Sequence, residues 1–317
     1  MKISSFLKLV EIQTKAASMI PFMLGTLYAL YHYNSFILKN FLLMLVSLLC
    51  VDMATTAINN YMDFKKAKTK QGFGYEIHNA ISRDNLRESR VIVVIFILLA
   101  VATASGIILF LNTSIAVLAL GAVSFFVGIL YSFGPVPISR TPFGEIFSGF
   151  FMGCIIPFIA VYIHVFDRAL LSISLNHSML DISLDIVGTV YILLLTVPAV
   201  TGIANIMLAN NICDIEEDIE NKRYTLPIFI GRNNSLIVFR VLYYAGYLSL
   251  AVLLAIRAVP LVSVLTFGTL FIVEKNIRIF YIKQTKKDTF ALAVKNFVVV
   301  NGALVLTISA ALVLKVL

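Results

Sequence analysis

Apolar residues run in long stretches along this chain, and polar residues gather in a few segments between them. A helix that crosses a membrane needs about 20 mainly apolar residues. The pattern therefore predicts nine transmembrane helices, at residues 16–34, 38–60, 90–111, 114–132, 143–165, 187–209, 235–256, 258–274 and 296–315. We expect an all-α polytopic membrane protein, a single domain over residues 1–317 whose helices form a bundle around a central apolar cavity.

Composition supports the membrane assignment. The chain has 317 residues, of which 60% are hydrophobic and 13% are charged, and its mean hydropathy is +0.94. A length-based prior would give about two soluble domains. A soluble core of this size does not need so little charge, so composition excludes that class.

Basic residues set the predicted orientation. Lys and Arg accumulate in cytoplasmic loops of membrane proteins. With the N-terminus inside, the inner segments hold 21 of the 25 Lys and Arg residues; these segments are the N-terminal stretch, 61–90, 133–142, 210–240 and 275–295. The net charge of +8 is thus explained by topology, and we expect a lipid bilayer rather than nucleic acid as partner.

Two polar blocks share one pattern at the ends of apolar stretches. Residues 59–63 read Asn-Asn-Tyr-Met-Asp, and residues 210–214 read Asn-Asn-Ile-Cys-Asp. Carboxylates near hydrocarbon are costly, and they indicate a functional site by default. In the predicted orientation both blocks open on the cytoplasmic side, where we expect them to face one polar pocket.

The spacing of the polar residues favours a metal site. Asn210, Asp214 and Asp218 are four residues apart, as are Asn59 and Asp63, and residues at that spacing share a helix face. Hard oxygen ligands without histidine or thiolate favour Mg²⁺, which takes further ligands from substrate phosphates. All five are predicted metal ligands, and Lys222 and Arg223 are expected to meet the outgoing diphosphate. One block alone would fit solvated charges at a helix end equally well.

The second block and the residues after it resemble a known motif. Asn210-x₃-Asp214-x₃-Asp218, followed by Lys-Arg-x-Thr-Leu-Pro at residues 222–227, is similar to the second aspartate-rich motif of the UbiA superfamily of intramembrane prenyltransferases. Residues 59–63 resemble the first motif less specifically. That family has nine transmembrane helices and cytoplasmic motif loops after helices two and six, so the resemblance covers nearly the whole chain.

A further stretch resembles one branch of that superfamily. Residues 131–137 (Tyr-Ser-Phe-Gly-Pro-Val-Pro), followed by Gly144 and Glu145, are similar to the menaquinone-pathway branch. The resemblance implies transfer of a polyprenyl group from polyprenyl diphosphate to 1,4-dihydroxy-2-naphthoate, with loss of CO₂ and diphosphate, giving demethylmenaquinol. It also aligns Lys15 with the first helix of the branch, as a substrate-binding residue, and implies a bacterial cell membrane as the location.

The resemblance assigns roles to these residues. Two Mg²⁺ ions on the three aspartates would clamp the diphosphate and stabilise the charge that develops as its C–O bond breaks. Asn59, Asn210 and Asn211 are predicted substrate contacts. The resulting allylic cation needs a dry pocket with aromatic faces, for which Tyr61 and Tyr131 are candidates.

The first block departs from the family pattern. A further acid is expected four or six residues after Asp63, where this chain has Ala67 and Thr69. Either one Mg²⁺ lacks a ligand, or a loop acid replaces it. Glu76 is the candidate, and we predict that it binds substrate.

Other functions stay open at this stage. The acceptor could be 4-hydroxybenzoate, a homogentisate or the vinyl group of haem. A secondary transporter would also place acids in helices, although transporter sites tend to lie near the bilayer midplane between broken helices. No cofactor beyond Mg²⁺ is predicted.

Overall fold

The computed structural model describes residues 1–66, 79–168, 170–176 and 179–316. Its α-helices are α1 (Ile3–Leu9), α2 (Ala16–Tyr33), α3 (Leu38–Lys66), α4 (Ala80–Arg83), α5 (Glu88–Leu111), α6 (Ile115–Ser132), α7 (Gly144–Phe150), α8 (Ile156–Val165), α9 (Ile186–Cys213), α10 (Ile215–Glu220), α11 (Leu226–Ile230), α12 (Arg232–Ala255), α13 (Leu270–Ile282) and α14 (Phe290–Val316). Short 3₁₀ segments lie at Ile12–Lys15, Ile138–Arg140 and Leu261–Thr269, and a π-helical turn at Phe151–Ile155 joins α7 to α8.

Seven of the described helices are long and apolar enough to cross a membrane. They are Leu38–Lys65, Glu88–Leu111, Ile115–Ser132, Gly144–Val165, Ile186–Cys213, Arg232–Ala255 and Phe290–Lys315. Each coincides with a predicted span. The remaining two predicted spans fall on α2 and on the 3₁₀ segment that leads into α13, so the count of nine is not confirmed and stays a prediction, as does the central cavity.

The eighth predicted span ends at residue 274, but the helix in the structure continues beyond it. Helix α13 continues to Ile282, into a segment that the sequence assigned to a cytoplasmic loop beginning at residue 275. The charges there are compatible with a helix because they pair: Glu274 Oε1 lies 2.9 Å from Arg240 Nη2 and 3.1 Å from Arg278 Nε. On the opposite face Val273, Asn276, Ile277 and Phe280 are buried, so α13 is amphipathic.

Close helix contacts depend on small residues. A Cβ atom on Gly25 would lie 2.3 Å from the carbonyl oxygen of Pro157, so α2 and α8 approach each other where glycine leaves space. Gly153 likewise leaves space for the close approach of the Val200 backbone in α9. Pro198 has no N–H to donate to the Leu194 carbonyl of α9, and Ser249 Oγ of α12 donates to that carbonyl instead, which satisfies the freed group inside the bundle.

The packing arranges the bundle around α9. Helix α9 packs against α7, α12 and α14, and α14 also packs against α2, while α3 packs mainly against α5. Between α8 and α9 an antiparallel hairpin, β1 (Leu171–Asn176) and β2 (Met179–Leu184), pairs Leu171 with Leu184. It lies between the fifth and sixth predicted spans.

Candidate functional site

The second polar block lies where α9 ends. The spacing predicted that Asn210, Asp214 and Asp218 share one helix face; in the structure α9 stops at Cys213 and α10 starts at Ile215. The helical hydrogen bonds nevertheless continue, because Asp214 N–H donates to the Asn210 carbonyl at 3.1 Å and Asp218 N–H donates to the Asp214 carbonyl at 2.7 Å. Both carboxylates are buried, with Asp214 6% and Asp218 1% exposed.

Asp218 is held by residues that follow it. Its Oδ1 lies 3.2 Å from Arg223 Nε, and its Oδ2 accepts a hydrogen bond from Thr225 Oγ1 at 3.1 Å. Arg223 N–H also donates to the Asp218 carbonyl at 2.8 Å, which folds this turn back onto α10. Burial raises the pKa of the Asp218 carboxyl above its ordinary value, while Arg223 and Thr225 act in the opposite direction. The predicted neighbour Lys222 is exposed and has a positive φ of 53°.

Asp214 has a basic partner that the sequence did not single out. Lys286 Nζ lies 2.5 Å from Asp214 Oδ2. Lys286 lies between α13 and α14, in a turn that Thr285 and Thr289 stabilise: Thr285 N–H donates to Thr289 Oγ1 at 2.9 Å. The sequence marked this region only as basic, and no local signal distinguishes Lys286 from Lys283 or Lys287.

A second polar pair lies next to these carboxylates. Asn211 Nδ2 donates to Glu145 Oε1 at 2.8 Å, and the two side chains are 0% and 4% exposed. Tyr131, predicted as part of the pocket wall, interacts with Glu145, Ser148 and Arg223. The stretch at residues 131–145 thus meets the second block, and Glu145, to which the sequence analysis assigned no role, joins the candidate site.

The first block has a different environment. Asn59 and Asp63 lie on the exposed side of α3 near its end. The neighbouring Asn60 is 7% exposed, and its Nδ2 donates to the Leu9 carbonyl at 2.9 Å. Tyr61, the other predicted pocket-wall residue, donates from its hydroxyl to Glu88 Oε2 at 3.3 Å.

Lys15 lies in an internal ion pair. Its Nζ contacts Asp52 Oδ1 at 2.6 Å, the Asp52 carbonyl at 3.1 Å and Thr56 Oγ1 at 2.8 Å. Ser18 Oγ bonds the other oxygen of Asp52. All three contacts of Lys15 are to α3, so the residue joins α3 to the start of α2; its predicted contact with substrate stays a prediction. Glu76 and the positions Ala67 and Thr69 lie outside the described residues.

The donor set of the second block suits Mg²⁺. Asp214 and Asp218 present hard carboxylate oxygens, the kind of ligand that Mg²⁺ prefers. Within the described part of the chain, no three His, Cys, Asp or Glu side chains are grouped closely enough to share one ion. A bound ion would take further ligands from water or phosphate, and the predicted part of Asp63 in the metal site stays a prediction.

Comparisons with known proteins agree with one another. Residues 18–301 match the model of the UbiA prenyltransferase family. The chain is 30% identical over 236 residues to 1,4-dihydroxy-2-naphthoate octaprenyltransferase of Bacillus subtilis (strain 168), an alignment that covers 74% of this chain and 68% of the relative.

Solved structures resemble the fold over almost the full length. A UbiA homolog from Aeropyrum pernix K1 superposes with a TM-score of 0.69 at 15% identity, covering 93% of this chain and 98% of that one. A UbiA homolog from Archaeoglobus fulgidus bound to GPP and Mg²⁺ gives 0.65 at 14% identity, covering 97% and 99%. At these identities the likeness shows the fold.

Proposed function

Since this chain belongs to the UbiA prenyltransferase family, we propose that it transfers a polyprenyl group from polyprenyl diphosphate to 1,4-dihydroxy-2-naphthoate, with Mg²⁺ as cofactor. The aromatic ring loses CO₂ where it is alkylated, diphosphate leaves, and the product is demethylmenaquinol. The acceptor is supported by the named relative from Bacillus subtilis. The metal is supported by the Archaeoglobus fulgidus homolog bound to GPP and Mg²⁺.

One observation carries the proposal: two buried aspartates, Asp214 at the end of α9 and Asp218 on α10, are each paired with a basic side chain. Bound Mg²⁺ would supply positive charge to the diphosphate as its C–O bond breaks. Asp214 and Asp218 would hold that metal, and Asn210, Asn59 and Asp63 would complete its ligands or contact the substrate. In the predicted orientation this end of α9 faces the cytoplasm.

The basic residues act on the leaving group. Arg223 lies at Asp218 and Lys286 lies at Asp214, so both are positioned to contact a diphosphate bound at the carboxylates. Preorganised cations at developing negative charge are among the largest catalytic contributions. We assign the same role to Lys222, one residue before Arg223 and exposed to the approaching anion.

The allylic cation must be kept from water until the ring attacks. The Tyr131 hydroxyl is within reach of the Glu145 charge, and the Tyr131 ring would form one wall of this pocket. The prenyl chain would lie along apolar helix faces and leave into lipid. Glu76, which is outside the described residues, would supply the acid that Ala67 and Thr69 do not.

Turnover of purified protein with Mg²⁺, polyprenyl diphosphate and 1,4-dihydroxy-2-naphthoate tests the proposal. We expect Asp218→Asn to lower kcat by at least about 100-fold, because it removes a ligand of the metal that stabilises the leaving group. The matched control is Glu216→Gln, because Glu216 is an exposed carboxylate on the same short helix and pairs with Arg232. Its kcat should stay within about twofold of that of the unmodified protein. Retained turnover in Asp218→Asn would contradict the site.

The acceptor is tested with a panel. 4-Hydroxybenzoate, a homogentisate and haem should each give a kcat/KM well below that of dihydroxynaphthoate. Family membership argues against the secondary transporter, and no contact among the described residues favours that alternative.

A further inference from the structure

Glu145 carries a buried carboxylate oxygen whose partner is missing. The side chain is 4% exposed, and its Oε1 accepts a hydrogen bond from Asn211 Nδ2 at 2.8 Å. Its Oε2 is fully buried and has no hydrogen-bond partner among residues 1–66, 79–168, 170–176 and 179–316. A buried, unsatisfied polar atom costs free energy, and each one calls for an explanation.

The basic side chains nearby are engaged elsewhere. Arg223 pairs with Asp218, and Lys286 pairs with Asp214. In the part of the chain that the structure describes, no lysine or arginine forms an ion pair with Glu145. Asn211 adds a second unsatisfied acceptor, its Oδ1, although the side chain is 0% exposed.

The chemistry of this pair differs from that of the aspartate pair. Asp214 and Asp218 have cations beside them, which suits an anionic ligand such as a diphosphate. Glu145 Oε2 and Asn211 Oδ1 are two acceptors without a donor, which would repel an anion and require a ligand that donates hydrogen bonds. Tyr131 is near enough to Glu145 for the carboxylate charge to act on its hydroxyl, and its ring would offer an aromatic face to a flat ligand.

We infer that Glu145, Asn211 and Tyr131 form the subsite for a hydroxyl group of the aromatic acceptor. A ring hydroxyl donates its hydrogen to Glu145 Oε2, and the ring packs on Tyr131. This inference rests on the proposed function, since it assumes a hydroxylated aromatic acceptor. It makes Glu145 an acceptor-binding residue and separates acceptor recognition from diphosphate binding.

The variant Glu145→Gln tests the role of that oxygen. Gln can keep the oxygen that accepts a hydrogen bond from Asn211, but it replaces the unsatisfied oxygen by an NH₂ group, which can only donate. We expect the KM for the acceptor to rise about tenfold or more, as for loss of a hydrogen bond to a charged group. The KM for polyprenyl diphosphate should stay within about twofold. Glu217→Gln, an exposed carboxylate of α10, is the matched control and should change neither value.

An acceptor analogue gives a readout that a structural role would not affect. We would measure inhibition constants for two naphthoates, each lacking one of the ring hydroxyls. For one of them, loss of the hydroxyl should weaken inhibition about tenfold in the unmodified protein and by less than about twofold in Glu145→Gln. Equal weakening in both proteins, or an unchanged acceptor KM in the variant, overturns the inference.

Failure of the inference can be separated from failure of the proposed function. If the unmodified protein prenylates no aromatic acceptor, the proposed function fails and the subsite fails with it. If transfer occurs and only the Glu145 effects are absent, the subsite alone is wrong. Should Glu145→Gln not fold, Tyr131→Leu removes the ring and should raise the acceptor KM at least about fivefold with the diphosphate KM unchanged; an unchanged acceptor KM would again contradict the subsite.

Discussion

Replacing Lys15 with methionine removes the positive charge from an ion pair that is almost fully buried. The Lys15 side chain is 4% exposed and that of Asp52 is 14% exposed, with 2.6 Å between Lys15 Nζ and Asp52 Oδ1. In the variant, the Asp52 carboxylate would retain the Ser18 hydroxyl as a donor. Leaving one member of a buried pair uncompensated costs about 3–5 kcal/mol. Because a change of about 1 kcal/mol shifts Tm by about 2–4 °C in chains of 150–250 residues, we expect Lys15→Met to lower Tm by about 6–20 °C.

The measurement is thermal unfolding in detergent, followed by circular dichroism at a fixed scan rate, since membrane proteins often unfold irreversibly. The matched control is Lys39→Met. Lys39 is exposed and its Nζ contacts Asn112 Oδ1 at 2.6 Å, so Tm should fall by less than about 2 °C. The double variant Lys15→Met with Asp52→Leu removes both charges and should recover more than half of the lost Tm.

Substrate kinetics decide between the two roles of Lys15. If it joins α2 to α3, Lys15→Met should lower Tm while the properly folded fraction keeps its KM values. An unchanged Tm together with a raised KM for either substrate would refute this reasoning. Lys15 would then be the substrate-binding residue that the sequence predicts.

Three further outcomes are expected. Lys286→Gln should raise the KM for polyprenyl diphosphate about five- to tenfold, because it removes the cation at Asp214. The control Lys287→Gln, on the same exposed turn, should leave this KM unchanged. Equal effects of the two variants would exclude a specific contact of Lys286 with the diphosphate. Gly25→Ala should lower Tm by several degrees because its Cβ would lie 2.3 Å from a backbone oxygen, while Gly121→Ala, where nothing lies within 4 Å, should not. In a protein without native cysteines, Lys287→Cys should react with a membrane-impermeant thiol reagent only from inside the cell, and Ser172→Cys only from outside; the reverse would invert the predicted topology.

The membrane spans were predictable because every segment that crosses the lipid must itself be a long apolar stretch. Helix α5 is apolar on all faces, since some face lipid and others face α3, so a simple count of apolar residues finds it. The segment Leu261–Thr269 is equally apolar but forms a 3₁₀ helix. Composition does not distinguish these two conformations, because the difference depends on backbone geometry after Pro260.

The site was predictable where its residues are close in sequence. Asp214 and Asp218 are one helical turn apart, so spacing alone brings them together. Arg223 follows Asp218 by five residues, in the turn after α10, and reaches it locally. Lys286 is separated from Asp214 by 72 positions, and only tertiary packing joins them. Glu145 and Asn211 meet by the same long-range route, 66 positions apart.

The first block shows a different limit. Two adjacent asparagines point about 100° apart on a helix, and the sequence assigned substrate contact to Asn59. In the structure Asn60 faces inward and bonds the Leu9 carbonyl, and its own carbonyl accepts from Asn79 Nδ2 at 2.8 Å. Which of the two faces a ligand depends on how α1 and α4 pack, which the five-residue pattern does not contain.

The packing of α14 has a consequence for biosynthesis. This helix lies against both α2 and α9, and Lys286, just before its start, reaches Asp214. While the chain is being made, the earlier helices can enter the bilayer before α14, and Asp214 is then still without its Lys286 partner. The two residues can pair only after the ribosome has delivered residue 286. Partly translated chains therefore hold the two aspartates without one of their basic partners, and the charge pattern of this cluster is completed at the end of synthesis.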